Sequence, residues 1–122
     1  MQRMWIMLGA LAGLGAVGMA AMAAHRLRAL DSPALASVNS AIEMQGWHAL
    51  ALLGCGQWAP RGGRLADAAG AAFAIGVVLF CGAIYANALF GVHLELLAPV
   101  GGVLLMLGWA FLAISAIAAA GR

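Results

Sequence analysis

Four long apolar runs occupy most of this 122-residue chain and leave few folds open to it. A transmembrane helix needs about 20 mostly apolar residues to cross roughly 30 Å of hydrocarbon. Residues 4–24, 38–59, 68–89 and 96–120 fit that requirement. A transmembrane barrel would need strands of about 10 residues alternating apolar and polar, whereas these runs are unbroken and rich in Ala, Leu and Gly. Charge is correspondingly scarce. Six arginines and four acidic residues, with no lysine, make the chain 8% charged and 66% hydrophobic, where a soluble domain is about a quarter charged. The reading is an all-α membrane protein, a compact bundle of four transmembrane helices forming one domain over residues 1–122. Residues 25–37 form an interfacial first loop. No segment remains for a soluble domain, and the partner implied is the lipid bilayer rather than nucleic acid.

The first run also has features of a secretory signal, with Arg3 as a basic start and Ala21-Met22-Ala23 as a cleavage site. A signal core is about 7–15 residues. This run is longer, so a retained span is expected. With four spans, Arg3, Arg61, Arg64 and Arg122 fall on one side, and Arg26 and Arg28 on the other, where the third loop adds only His93. Positive charge collects on the cytoplasmic side. Both termini are therefore expected in the cytoplasm, in a multi-pass membrane protein.

The second span is the irregular one. Asp31-Ser32-Pro33 supplies a helix start, with Ser32 or Asp31 as N-cap and Pro33 in the first turn. One helix of about 26 residues, ~39 Å long, could run from there to Trp58. The rival is a short interfacial helix, a bend near Gly46 and a short span ending before Pro60. The single helix would carry Asn39, Glu43, Gln45 and His48 into the membrane. An ionised group at mid-bilayer costs about 2.5–3.5 kcal/mol even on lenient scales, so such groups face the bundle interior. At about 100° per residue, Asn39 and Glu43 share one face while Gln45 and His48 share another. Arg26 and Arg28 can reach back toward Glu43, and Tyr85 and Asn87 lie at similar depth. The Glu43 carboxyl is expected to point into the bundle or toward those arginines, with Tyr85 as its donor.

His25, Arg26, Arg28, Asn39, Glu43, Gln45, His48, Tyr85 and Asn87 thus form a candidate intramembrane polar network. One role for it is to pin the helices in register. Others are a proton or small-solute pathway, or a bound haem or copper, since His25 and His48 could ligate iron and the run Met19, Met22, His25 offers soft ligands. Methionine is equally a filler of irregular cores, and no metal or cofactor is expected. His48 should instead bond to a side chain or backbone carbonyl inside the bundle. Cys55 and Cys81 differ in depth by about 15 Å, beyond the ~7 Å limit for a disulfide, and should be free thiols. Close helix packing falls to small residues and turns: Gly9, Gly13, Gly76, Gly82, Pro99, Gly101 and Gly102. Trp5, Trp47, Trp58 and Trp109 read as interface markers.

Four segments carry a family resemblance: Ala20-Ala21-Met22-Ala23-Ala24-His25, Glu43 through Gly54, Gly76 through Tyr85, and Ala98 through Val103 with Gly108-Trp109. Taken in order along nearly the whole chain, they resemble the YgdD-like family. These are small four-helix bacterial inner-membrane proteins grouped as a domain of unknown function, with a eukaryotic relative. His25, Gln45, His48, Tyr85, Pro99, Gly101 and Gly102 match its pattern. The family's Gly-Ala-Phe-Gly-Ala-His is altered here, with Ala20, Met22 and Ala23 replacing Gly, Phe and Gly. Its Ser-Gly-Ser is Cys81-Gly82-Ala83, which removes two hydroxyls. The resemblance implies fold and location and no reaction. No nucleophile–base pair, phosphate loop or paired carboxylate is visible, so an enzyme is not expected. The preferred reading is a non-catalytic bundle serving as an accessory subunit of a larger membrane complex or as a small homo-oligomer.

Overall fold

The computed structural model describes all residues from Met1 to Arg122 and contains helices but no strand. Helix α1 spans Gln2–His25, a single 3-10 turn follows at Leu27–Ala29, α2 spans Ser32–Phe90 and α3 spans Leu97–Ala120. Each α-helix is long and apolar enough to cross a membrane.

Helix α2 is not a straight rod. Its 59 residues would extend ~88 Å at 1.5 Å per residue, with Ala41 and Cys81 ~60 Å apart. Instead the Cys81 thiol donates to the Ala41 carbonyl at 3.2 Å, and the Tyr85 hydroxyl to Gln45 Oε1 at 2.7 Å. The two arms, residues 32–62 and 64–90, therefore run antiparallel. The pivot is Gly63, the one residue inside α2 with non-helical dihedrals, at φ 59° and ψ −143°. That region is almost closed to residues with a Cβ.

Four helices separated by loops were expected; the chain has three continuous helical elements, the second bent at a single residue. The anticipated loop over 60–67 is absent because the Gly62-Gly63 pair allows reversal without dedicated turn residues. Pro60 lies inside the helix rather than after it, and its missing N–H removes one bond in the last turn before the bend. At the other end, the Asp31 carboxylate accepts from the Ala34 N–H at 2.8 Å. This cap starts the helix at Ser32, so the expected loop over 25–37 loses its last residues to α2. No bend occurs near Gly46.

Helices α1 and α3 both pack chiefly against the α2 hairpin. The Trp5 indole donates to Asp67 at 2.7 Å, and the Arg122 guanidinium to the Arg61 carbonyl at 2.8 Å. Both termini thus lie at the Gly63 end. The core runs along the hairpin through Ala41, Leu52, Cys55, Phe73 and Cys81, closed by Trp5 from α1 and Leu105 from α3. Both cysteines are buried and free.

Glycine sets the closest approaches. A Cβ at Gly101 would lie 2.5 Å from the Phe80 backbone nitrogen, and one at Gly9 would lie 2.8 Å from the Ala49 carbonyl oxygen. Trp47 and Trp109 correct the interface assignment, since both occupy the middle of their helical segments. Trp47 is 61% exposed and Trp109 47% exposed, although the Trp109 indole N–H donates inward to His48 Nε2.

Candidate functional site

Along the first arm of α2, Ala41, Gln45, His48, Leu52 and Cys55 recur at four- and three-residue spacing and are all buried. That spacing keeps them on one helix face. The face is turned into the bundle, and its two polar members reach every neighbouring segment.

Gln45 donates Nε2 to the Ala12 carbonyl of α1 at 2.9 Å. Its Oε1 accepts from the Tyr85 hydroxyl of the second arm. One amide therefore ties three segments together. Gly15 makes the geometry possible, since a Cβ there would stand 2.7 Å from Gln45 Nε2.

His48 is 2% exposed and has both ring nitrogens engaged. Nδ1 lies 2.6 Å from the Met44 carbonyl oxygen, and Nε2 lies 3.0 Å from the Trp109 indole nitrogen. A carbonyl only accepts and an indole N–H only donates. Nδ1 therefore carries the proton, and the Nε2 lone pair is taken by Trp109. Phe73 completes an aromatic cluster, its ring centroid 5.5 Å from His48 and 5.0 Å from Trp109. Toward the bend, the Trp58 indole donates to Ser115 Oγ at 2.9 Å, and that hydroxyl donates to the Leu112 carbonyl at 2.7 Å. No buried side-chain nitrogen or oxygen lacks a partner. Hydrogen bonds between membrane helices average about 0.6 kcal/mol and reach ~1.7, so the set contributes a few kcal/mol and fixes register.

The remaining members of the sequence-derived network lie elsewhere. His25, Arg26, Arg28, Asn39, Glu43 and Asn87 are exposed. Tyr85 donates to Gln45 and not to Glu43, because Glu43 stands about 200° from Gln45 around the helix. Glu43 instead edges a surface groove of about 460 Å³ with Asn39, against Ala20 and Ala24 of α1. Arg28 is occupied with the Ala24 carbonyl at 2.7 Å. A paired His25–His48 ligand set does not form. Gly9 packs at Ala49, and His25 lies sixteen residues, ~24 Å, further along α1. No three His, Cys, Asp or Glu side chains group together.

Among the packing residues, Gly9, Gly76 and Gly101 sit at tight crossings. Gly13 and Gly102 make ordinary contacts, Gly82 faces open space and Pro99 is exposed. Sequence reasoning missed Trp109 as the partner of His48, Asp67 as the partner of Trp5, and Ser115. It also missed the glycines under aromatic rings, Gly70 beneath Trp5 and Gly108 beneath Phe73. A readable signal existed for Asp67, a charge just before the run over 68–89, and for Ser115, a hydroxyl inside the run over 96–120, at the depths of Trp5 and Trp58.

Helices long enough to span a bilayer, joined by interhelical hydrogen bonds and carrying an apolar exterior, define a small polytopic helical membrane protein. More particularly, the chain belongs to the family described as protein of unknown function (DUF423), whose model matches residues 19–102. It is 33% identical to a UPF0382 membrane protein of Haemophilus influenzae over 93% of both chains. It is 36% identical to a UPF0382 membrane protein of Staphylococcus epidermidis over 98% of this chain and 99% of that one. The UPF0382 inner membrane protein YgdD of Escherichia coli is 33% identical over 94% of this chain and 90% of its own. No solved structure matches the chain.

Proposed function

We propose that this protein is a non-catalytic, four-crossing helical bundle of the bacterial inner membrane, acting as an accessory subunit of a larger membrane complex or as a small homo-oligomer. The observation that carries this reading is that every buried side-chain nitrogen and oxygen already has a hydrogen-bond partner. Gln45, His48, Tyr85, Trp58 and Ser115 are spent on one another and on backbone carbonyls. A working site needs a nucleophile, base or ligand with a free valence in a cleft, and these groups have given theirs to packing. What is left to act is the outer surface. There Gly18, Gly46, Gly54 and Gly82 each have open space where a Cβ would be, the small-residue surface that lets another helix approach closely.

Both arms of α2, about 30 residues each, are long enough for a full crossing, which makes four with α1 and α3. The naming of the E. coli relative as an inner membrane protein supports the location. Four arginines at the Gly63 end against two at the other favour cytoplasmic termini. Reporter fusions at Arg122 and beside His93 should give opposite locations, cytoplasmic and periplasmic respectively. Subunit character is tested by purifying a chromosomally tagged chain in mild detergent and measuring the mass of the protein complex by light scattering. A mass of two or more chains, or stoichiometric co-purification of a second membrane protein, is the expected result. A strictly monomeric species with no partner at native expression would overturn the reading.

A further inference from the structure

We propose that the groove between the first arm of α2 and α3, at the Gly63 end, binds an anionic phospholipid. Its phosphate would sit between Arg61 and Arg122, with an acyl chain along an alanine floor. The groove has a volume of about 410 Å³ and is lined by Trp58, Arg61, Ala116, Ala119, Ala120 and Arg122. Its walls are fixed by contacts already described. The Trp58 indole is anchored to Ser115, which holds the ring as one wall.

The Gly63 break leaves the last carbonyls of the first arm without helical partners, and Arg122 donates to one of them, that of Arg61. This docks the Arg122 guanidinium at the mouth while most of its five N–H groups stay available. Arg61 lines the same groove. A paired set of forked donors suits a phosphodiester oxygen pair.

The groove floor shows why the ligand is a lipid rather than a free anion. Ala116, Ala119 and Ala120 expose a smooth apolar strip leading away from the arginines into the membrane-spanning part of α3. Alanine leaves room there for an acyl chain where a larger side chain would fill the groove. Basic grooves between membrane helices are a known mode of headgroup recognition, and each basic residue near an anionic surface favours binding about fivefold. Arg3 and Arg64, at the same end of the bundle, add to the attraction at longer range. This inference stands apart from the subunit role, since a monomer and an oligomer could both carry the site.

The experiment is native mass spectrometry of the full chain in a mild detergent. Phosphatidylglycerol and phosphatidylcholine of identical acyl chains are offered together. The expected result is retained phosphatidylglycerol at about tenfold or more over phosphatidylcholine. Arg61→Gln with Arg122→Gln should reduce that retention about twenty-five-fold, the product of two single-arginine effects. Arg26→Gln with Arg28→Gln, at the opposite end, should leave it unchanged. Ala119→Trp should block the acyl strip and lower retention with both arginines intact, and Arg61→Lys with Arg122→Lys, which keeps the charge and loses the fork, should fall between wild type and the double glutamine variant.

Circular dichroism on each variant separates loss of the site from loss of fold. Should the double glutamine variant unfold, the Ala119→Trp and lysine variants decide the matter. Equal retention of both lipids would overturn the proposal, as would insensitivity to the Arg61 and Arg122 substitutions. So would inorganic phosphate competing at millimolar concentration, which would mark a simple anion site. A lipid-free dimer that dissociates in the double variant would assign the groove to a second copy instead.

Discussion

Gly101 and Gly102 are adjacent in α3 and look equivalent in sequence, yet they should respond oppositely to a single methyl group. A Cβ at Gly101 would stand 2.5 Å from the Phe80 nitrogen, 2.8 Å from the Gly76 carbonyl oxygen and 2.9 Å from the Phe80 Cα. All three are backbone atoms of the second arm, so no rotamer change relieves the overlap. The helices must separate by several tenths of an ångström, and α3 is held elsewhere by the Trp109–His48 and Trp58–Ser115 bonds. Overpacking of this kind costs about 1–3 kcal/mol. With the strained indole bond included, Gly101→Ala should cost about 2–3 kcal/mol. A Cβ at Gly102 meets nothing closer than the Phe80 ring edge at 3.8 Å, an ordinary contact. Since alanine is the better helix former, Gly102→Ala should fall within about 0.5 kcal/mol of wild type. Reversible unfolding by sodium dodecyl sulfate in mixed micelles, followed by tryptophan fluorescence, measures both. Equal costs, or a neutral Gly101→Ala, would refute the backbone-crossing geometry.

Three further perturbations probe the interior and the bend. Tyr85→Phe and Gln45→Leu should each destabilise the protein, and a double-mutant cycle should show coupling of about 0.6–1.7 kcal/mol; additive losses would mean that the hydroxyl and amide do not bond. Trp109→Phe keeps the ring contact with Phe73 but strips the donor from His48 Nε2. The ¹⁵N shift of that nitrogen should move on substitution, and an unchanged shift would remove Trp109 as the partner. Gly63→Ala should cost about 1–3 kcal/mol through backbone strain alone, because open space surrounds the position; a neutral result in the same unfolding assay would show that the bend is not where the dihedrals put it.

Much of the fold was legible because hydrocarbon imposes length and composition. The ends of α1 and α3 fell within two residues of the apolar runs over 4–24 and 96–120. The bend was misread as a loop because Pro60 is the louder signal, while the structural break belongs to Gly63, whose role depends on a dihedral that sequence does not display. For the candidate site, helical periodicity separated Gln45 and His48 from Asn39 and Glu43. It could not say which pair faced inward, and charge suggested Glu43. The decision lay in the neighbours. Tyr85 and Trp109 approach the Gln45–His48 face, a pairing set by how two arms fold across Gly63 rather than by either arm alone. Trp109 itself was hidden by the general habit of tryptophan to mark interfaces.

The hairpin in α2 is the feature on which the core and the interior hydrogen bonds depend, and on which the proposed four crossings rest. Double electron–electron resonance between spin labels at Ser40 and Asn87, both exposed, measures it directly in lipid nanodiscs. Antiparallel arms that bring Ala41 to Cys81 and Gln45 to Tyr85 predict a narrow distribution below about 30 Å, roughly two helix diameters plus the label tethers. A continuous α2 would hold the labels near ~70 Å at 1.5 Å per residue, and a peak there would contradict the hairpin and the site built on it.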